Sequence, residues 1–507
     1  MAKPKSDGEP TFEEALDLTG NGLYNVLLVS TSSLILLAIG VDLFGFSLVV
    51  AAACDLHLTV SQKGILTSLP FVGILLVSYL WGYISDTRGR RFTLVIPLQV
   101  SFLLSCISSL SPHWLFLGLV KFLCVCFACA ANSAAYTLVG ESCVQRVRNR
   151  YMLLMTCLIL LSPAVAGVLT YPTLKLDFAA EIPWLGIVFR PWRLLIIVLA
   201  LPSGISGILM YFFCESPKFL FNSGRRDEAL DVLKHIYAVN HRSVKEEFKV
   251  HTIKLDEGQV QKKPMSLIKA MYKQSAPLFR PPYLWRSLQL FYIVAVVYIT
   301  NNSFLVWLPD ILNLVRLSLE NDATVPGNIC GLISSRPALD TNSTDKVISP
   351  QACTGSIEQN VMLTLIASQS VFSFFNFVIS YLPHRRRVVL ISILCLSSMS
   401  GVVLNLVPEP ISSVFFFMVF TCTCLGMGIL ASYFVDLYPT SYRGMATCLS
   451  VMVGRSSTFF GINIVGNLIF HHCQATFYAW ALLVLSSAIA AWFLPSDKPA
   501  VSKAEAV

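Results

Sequence analysis

Gly82-Tyr83-Ile84-Ser85-Asp86-Thr87-Arg88-Gly89-Arg90-Arg91 stands at the junction of two long apolar runs, Ile65–Ile84 and Phe92–Leu110. A helix needs roughly 20 mostly apolar residues to cross about 30 Å of hydrocarbon, so each run is long enough to span a bilayer. The stretch joining them is too short for a domain and too charged for lipid. It reads as a membrane-surface turn whose arginines hold it on one side, with Gly82 allowing close approach of a neighbouring helix and Gly89 a tight turn.

The same alternation extends through the chain. Of 507 residues, 55% are hydrophobic and only 13% charged, against roughly a quarter charged in a soluble domain. Further apolar runs lie at Val26–Val50, Leu115–Leu138, Met152–Tyr171 and Leu194–Phe213, then at Leu288–Leu308, Val361–Leu382, Val388–Val407, Val414–Phe434, Ala446–Phe470 and Phe477–Leu494. Twelve spans in two sets of six follow: an all-α membrane protein. The expected organisation is an N-terminal six-helix half over 1–214, a polar linker over 215–285 and a C-terminal half over 286–507. In the linker, Ala229, Leu230, Leu233 and Ile236 recur at helical spacing and predict a short surface helix. Met1–Asn21 is polar and acidic and lacks the basic start and apolar core of a cleavable signal, so the first run is expected to stay as a helix.

Arginines collect in alternate loops: Arg88, Arg90 and Arg91, then Arg146, Arg148 and Arg150, then Arg385, Arg386 and Arg387, then Arg443, with Lys218, Arg225, Arg226 and Lys234 in the linker. By the positive-inside rule these loops and both termini are expected in the cytoplasm. The net charge of +8 therefore reflects topology; the bilayer, not nucleic acid, is the expected partner. The loop over about 310–360 then faces a lumenal or extracellular space. It carries the sequon Asn342-Ser343-Thr344 and two cysteines, Cys330 and Cys353, candidates for glycosylation and for a disulfide. Other cysteines, such as Cys124, Cys126, Cys129, Cys422 and Cys424, lie inside apolar runs and read as small packing residues. No spacing fits a metal site, His471-His472-Cys473 included; no cofactor is expected.

Glu141 and Arg148 follow the fourth run at the spacing with which Asp436 and Arg443 follow the tenth. This internal repeat implies two similar bundles facing one another across a central path. An acid at such a helix end opposes the helix dipole unless a cation compensates it, from the arginine onward in the loop or from the Arg88 to Arg91 turn. These groups, with Glu215 and Lys218, form a candidate charge relay at the gate. Asp86 is expected to accept from the first amides of a helix in the other half.

The turn resembles the signature of the major facilitator superfamily, Gly-x-x-x-Asp-x-x-Gly-Arg-Arg/Lys, in the place between helices 2 and 3 where that family carries it. Glu215-Ser-Pro-Lys218 resembles the Pro-Glu-Ser-Pro-Arg signature of sugar-porter and organic-ion carriers. Thr11-Phe-Glu-Glu-Ala15, Thr19-Gly20-Asn-Gly22, Cys54-Asp55-Leu56, Trp192-Arg193 and Trp307-Leu-Pro309-Asp310 make the chain most similar to the synaptic vesicle glycoprotein 2 group and its organic cation transporter relatives. The resemblance implies the two-bundle carrier fold, a small organic ion or other polar metabolite as substrate, and a plasma or vesicle membrane. Two departures stand out. Helix 4 reads Lys121-Phe-Leu-Cys124-Val-Cys126-Phe-Ala-Cys129 where carriers place an arginine and a series of glycines. The second-half turn, Tyr381-Leu-Pro383-His384-Arg385-Arg386-Arg387, lacks the Gly and Asp.

Asp42 is a carboxylate within an apolar run, expensive unless it meets water or a partner. It is the candidate for binding an organic cation or a coupling proton, and a place near the outer end of its helix is the plainer alternative. Tyr298, Asn301, Asn302, Gln369 and Asn376 are candidate lining residues or helix-packing contacts. No phosphate-binding loop or catalytic triad is present. The sequence therefore points to a transporter working by alternating access, with a transport-inactive vesicle component, regulator or receptor as the alternative.

Overall fold

The computed structural model describes residues 10–248, 250, 252–253, 276–320, 329–334, 359–380, 386–438, 440–469 and 471–495. Asn342 and Cys353 lie outside the described residues, as do the side chains of Asp436 and Arg443.

The first half contributes span 1 (Leu23–Ala52), span 2 (Val60–Arg88), span 3 (Arg90–Ser109) and span 4 (Trp114–Ser142). Span 5 is made of Gln145–Leu160 and Ser162–Leu174, bent by 41° at the break, and span 6 is Pro191–Tyr211. The second half contributes span 7 (Leu284–Glu320), span 8 (Gln359–Ser380), span 9 (Arg386–Leu406), span 10 (Pro410–Leu437, with a 3-10 turn at Thr421–Leu425), span 11 (Thr440–Ile469) and span 12 (Cys473–Trp492). Ten of these helices are long and apolar enough to cross a membrane, and the bent pair makes eleven. Span 11 completes the set by position. It is more polar because its Arg455, Thr458 and Asn463 face protein rather than lipid.

Local chemistry fixes the turns. Thr59 and Gln62 form a capping box that starts span 2. Gly89 ends it with φ 107°, a conformation that disfavours any side chain. Pro191 and Pro410 open spans 6 and 10 at positions whose amide would have no helical partner. Between spans 5 and 6 lies a small hairpin, Ala180–Ile182 paired antiparallel with Ile187–Phe189, which the apolar pattern does not reveal.

Gly454 of span 11 packs against the Tyr298 ring, where an added Cβ would lie 2.7 Å from the ring carbon Cγ. Small residues allow such close backbone approach where lipid provides no hydrophobic drive.

The described part of the linker is folded. Pro217–Asn222 and Arg226–His241 are helices, and Ala229, Leu233 and Ile236 are buried. Ala229 and Leu233 pack with Phe219, Leu220 and Phe221 and with Phe12, Ala15 and Leu16 of an N-terminal helix, Phe12–Leu18.

The cysteine pairing expected within the long loop is corrected. Cys330, on the short helix Ile329–Ser334, is bonded to Cys473 at the start of span 12, with Cα atoms 5.4 Å apart. Its reason is packing: the short helix folds back onto spans 9, 10 and 12, burying both cysteines in one apolar cluster. A separation of 143 residues hides this pairing from any local reading.

Candidate solute path and gates

The arginine-rich turn lies at what is called here the basic end. Its first contacts stay within the N-terminal half. The Arg90 guanidinium bonds Asp86 at 3.0 Å, Glu141 at 3.0 Å and the Ser85 carbonyl at 2.9 Å, and lies 4.9 Å from the Phe219 ring. The acceptor of helix-start amides is Glu215, not Asp86: its carboxylate receives the Arg90 amide at 2.8 Å and the Arg91 amide at 3.1 Å. A carboxylate there complements the positive end of span 3. The carboxylate lies so close that a Cβ on Gly89 would meet Glu215 Oε2 at 2.3 Å. Arg91 reaches the Tyr211 carbonyl, Arg88 is exposed, and Asp86 is 73% exposed. Gly82, expected to admit a neighbouring helix, would meet nothing within 4 Å among the described residues if given a Cβ.

The relay pairs are also redistributed. Glu141 takes Arg90, and the Ser216 hydroxyl donates to it. Arg148 pairs instead with Glu13 at 3.0 Å, and Lys218 pairs with the same Glu13 at 2.9 Å. One N-terminal carboxylate thus clamps the first turn of span 5 to the segment after span 6. Burial raises the Glu13 pKa, but the Lys218 and Arg148 hydrogen bonds outweigh it and hold it below its ordinary value.

Asp42, in the half of span 1 away from the basic end, is buried and pairs with Lys121 of span 4 at 2.5 Å. The Lys121 ammonium also lies 5.1 Å from the Phe46 ring centroid. A charge in an apolar bundle is tolerated when matched in this way, and a cation would have to displace Lys121 to reach Asp42. Asn301 donates to Asn302, which donates to Thr458 at 3.0 Å, so both asparagines lie in the junction of spans 7 and 11. Gln369 and Asn376 are buried in span 8, and Asn376 Nδ2 has no hydrogen-bond partner among the described residues.

Beside this junction is a residue that the reading of the sequence passes over. Arg455 of span 11 lies 5.4 Å from the Phe71 ring of span 2 and 5.9 Å from the Tyr298 ring of span 7. It therefore bridges the two halves. The rule that singles out Asp42, an ionisable residue inside a spanning run, applies equally to Arg455.

Comparison with known proteins fits this architecture. The model of the Major Facilitator Superfamily matches residues 31–339. The chain belongs to the major facilitator superfamily. It is 26% identical to organic cation/carnitine transporter 7 of Arabidopsis thaliana over 46% of this chain and 45% of the relative. It is also 26% identical to synaptic vesicle glycoprotein 2C of Rattus norvegicus over 48% of this chain and 33% of the relative. The matched region thus spans less than half the length of these two relatives. A synaptic vesicle 2-related protein of Pongo abelii aligns at 23% identity over 98% of this chain and 83% of its own length. Among solved structures, the inward open xylose transporter XylE from E. coli superposes with a TM-score of 0.65 at 13% identity, over 94% of this chain and 98% of that one; this shows the fold.

In this major facilitator protein, the end opposite the basic turn is where the halves meet. Lys63 of span 2 pairs with Asp310 of span 7 at 3.0 Å, and Asn463 of span 11 donates to Ser68 at 2.9 Å. Leu43, Phe71, Ile74 and Val125 of the first half form one apolar cluster with Val306 and Ile462 of the second. Spans 5 and 8 join as well, where Ile366 and Leu365 cover Gly167 and Ser373 donates to the Cys157 carbonyl at 3.2 Å. The same end is stapled within the N-terminal half by buried Arg193, which bonds Asp55 and the carbonyls of Ser109 and Ser111. Asp55 and Arg193 both come from the short motifs that carried the resemblance.

Proposed function

We propose that this chain is a secondary carrier that moves a small organic solute by alternating access, here with its path open toward the basic end. The observation that carries the reading is an asymmetry. Contacts between the halves run from Lys63–Asp310 to Arg455 at mid-depth, whereas a Cβ added to Gly82 at the basic end would meet nothing within 4 Å among the described residues. The arginine distribution assigns the basic end and both termini to the cytoplasm, so this is an inward-facing state. In the opposite state, span 11 would close over Gly82 and meet the exposed Asp86, while Lys63 and Asp310 part.

Coupling to a proton fits the Asp42–Lys121 pair. Protonating Asp42 removes the charge that holds Lys121, giving the N-terminal bundle two electrostatic states. The membrane is a plasma or vesicle membrane.

Uptake into proteoliposomes tests the proposal, with organic cations, organic anions and sugars offered with and without a pH gradient. Saturable uptake is expected, lost in Asp86→Asn, and insensitive to pH in Asp42→Asn. The second reading, a transport-inactive vesicle component, regulator or receptor, draws support from span 4. Cys124 there is held by the Ser101 and Ser105 hydroxyls at 3.2 and 3.1 Å, where sliding helices would present glycines. Silence of folded protein across the whole panel would favour it.

A further inference from the structure

The basic end repeats one contact in both halves. Arg91, the second residue of span 3, lies 5.1 Å from the ring centroid of Tyr211, the last residue of span 6. Arg387, the second residue of span 9, lies 5.3 Å from the ring centroid of Trp492, the last residue of span 12. The halves differ in what balances the charge. The Arg91 amide meets the Glu215 carboxylate, whereas the second-half turn lacks the acid of the first. Arg387 forms no ion pair among the described residues, and neither does Arg286 at the start of span 7. Arg286 reaches the same helix end: its Nη1 donates to the Phe493 carbonyl at 2.8 Å and to Gln289 Oε1 at 3.3 Å. Two guanidiniums thus flank the last residues of span 12, and Arg286, Trp285, Trp492 and Phe493 are all exposed.

From this we infer that Arg286 and Arg387 hold the headgroup phosphate of an anionic phospholipid in the leaflet at the basic end, with the Trp285, Trp492 and Phe493 rings beside its glycerol and upper acyl chains. Tryptophan concentrates at headgroup level, where one edge of the ring is wet and its body apolar. Exposed rings at two adjoining helix ends therefore fix the depth of the patch. At that depth the arginines meet phosphate oxygens, and a guanidinium matches two of them with parallel donors. Two positive charges without a carboxylate exceed what one phosphodiester neutralises, which favours a headgroup of net negative charge over a zwitterionic one. The occupant is a lipid rather than a soluble anion because the rings offer apolar surface that free phosphate does not cover. The patch belongs to the C-terminal half alone and takes no part in the contacts between the halves, so the inference goes beyond the carrier reading and stands without it.

The test uses the purified full chain, delipidated in detergent micelles. Its melting temperature is followed as dioleoylphosphatidylserine, dioleoylphosphatidylglycerol or dioleoylphosphatidylcholine is added, with inorganic phosphate and glycerophosphoserine as soluble sources of the same chemistry. The two anionic lipids are expected to stabilise it saturably, and the phosphatidylcholine and the soluble anions not. Arg286→Gln and Arg387→Gln should each raise the half-saturating lipid concentration about fivefold, and the double variant should lose the effect. Arg387 makes no hydrogen bond among the described residues, only its ring contact, so Arg387→Gln keeps the test decisive if Arg286→Gln does not fold. Arg226→Gln, which removes an exposed charge from the start of the linker helix, should bind as the parent does. Four results would overturn the inference: equal stabilisation by phosphatidylcholine, equal stabilisation by the soluble anions, an undiminished effect in Arg387→Gln, or an equal loss in Arg226→Gln, the mark of diffuse attraction to a basic surface. None of these measurements requires transport, so failure here and failure of the carrier reading are told apart.

Discussion

Removing the carboxylate of Asp42 would leave the Lys121 ammonium alone in an apolar bundle, with the Phe46 ring as poor compensation. Breaking a buried pair from one side costs about 3–5 kcal/mol, whereas replacing both partners by apolar groups is often neutral. Asp42→Asn should therefore lower the melting temperature of the purified protein markedly, and Asp42→Asn with Lys121→Met should restore most of the loss. An unchanged melting temperature in the single variant would mean that the pair carries no such energy. Asp42 was legible because a charge inside an apolar run violates the pattern; its partner, 79 residues away, was not. The cysteines teach the same lesson. Peptide mapping without reduction is expected to recover Cys330 linked to Cys473, and a Cys330–Cys353 peptide would contradict the structure.

At the scale of elements, the N-terminal helix clamps the start of span 5 to the segment after span 6. Glu13 is more than a third exposed, so its pairs with Arg148 and Lys218 are worth little in stability, but they set where the helix lies. Its depressed pKa means that the docked helix gains from the ionised carboxylate at pH above the ordinary value of 4.5. That gain is lost as pH falls below 4.5 through the lower folded value. Limited proteolysis at the N-terminus should therefore quicken in acid, and Glu13→Gln should remove that dependence. Gly89→Ala is expected to destabilise the turn between spans 2 and 3 by about 1–3 kcal/mol, because it forces a side chain into strained backbone and against Glu215. Wild-type stability in that variant would contradict the geometry. Local signals made the elements readable: Gly89 in the turn and the spacing of Ala229, Leu233 and Ile236 in the linker. Which carboxylate meets which arginine was not readable, because Glu13, Glu141 and Glu215 converge on one surface from three distant segments.

For the whole molecule, hydrophobic period and arginine placement made the two six-helix halves legible. A helix facing lipid must be apolar along its length, and loop charge sets its orientation. The hairpin at 180–189 and the packing of the linker helix against the N-terminal helix escaped because neither is imposed by the bilayer. The conformational state escaped because one sequence serves every state of a carrier. The most direct test of alternating access is to lock the closed end. Cysteines replacing Gly64 and Asn463 lie across the seam, since an added Cβ at Gly64 would be 3.4 Å from Asn463 Oδ1. Proteoliposomes bearing this pair should take up solute while reduced, lose uptake when the pair is oxidised, and regain it on reduction, with the parent protein unaffected by the same cycle. Uptake that continues with the crosslink fully formed would contradict alternating access in this protein.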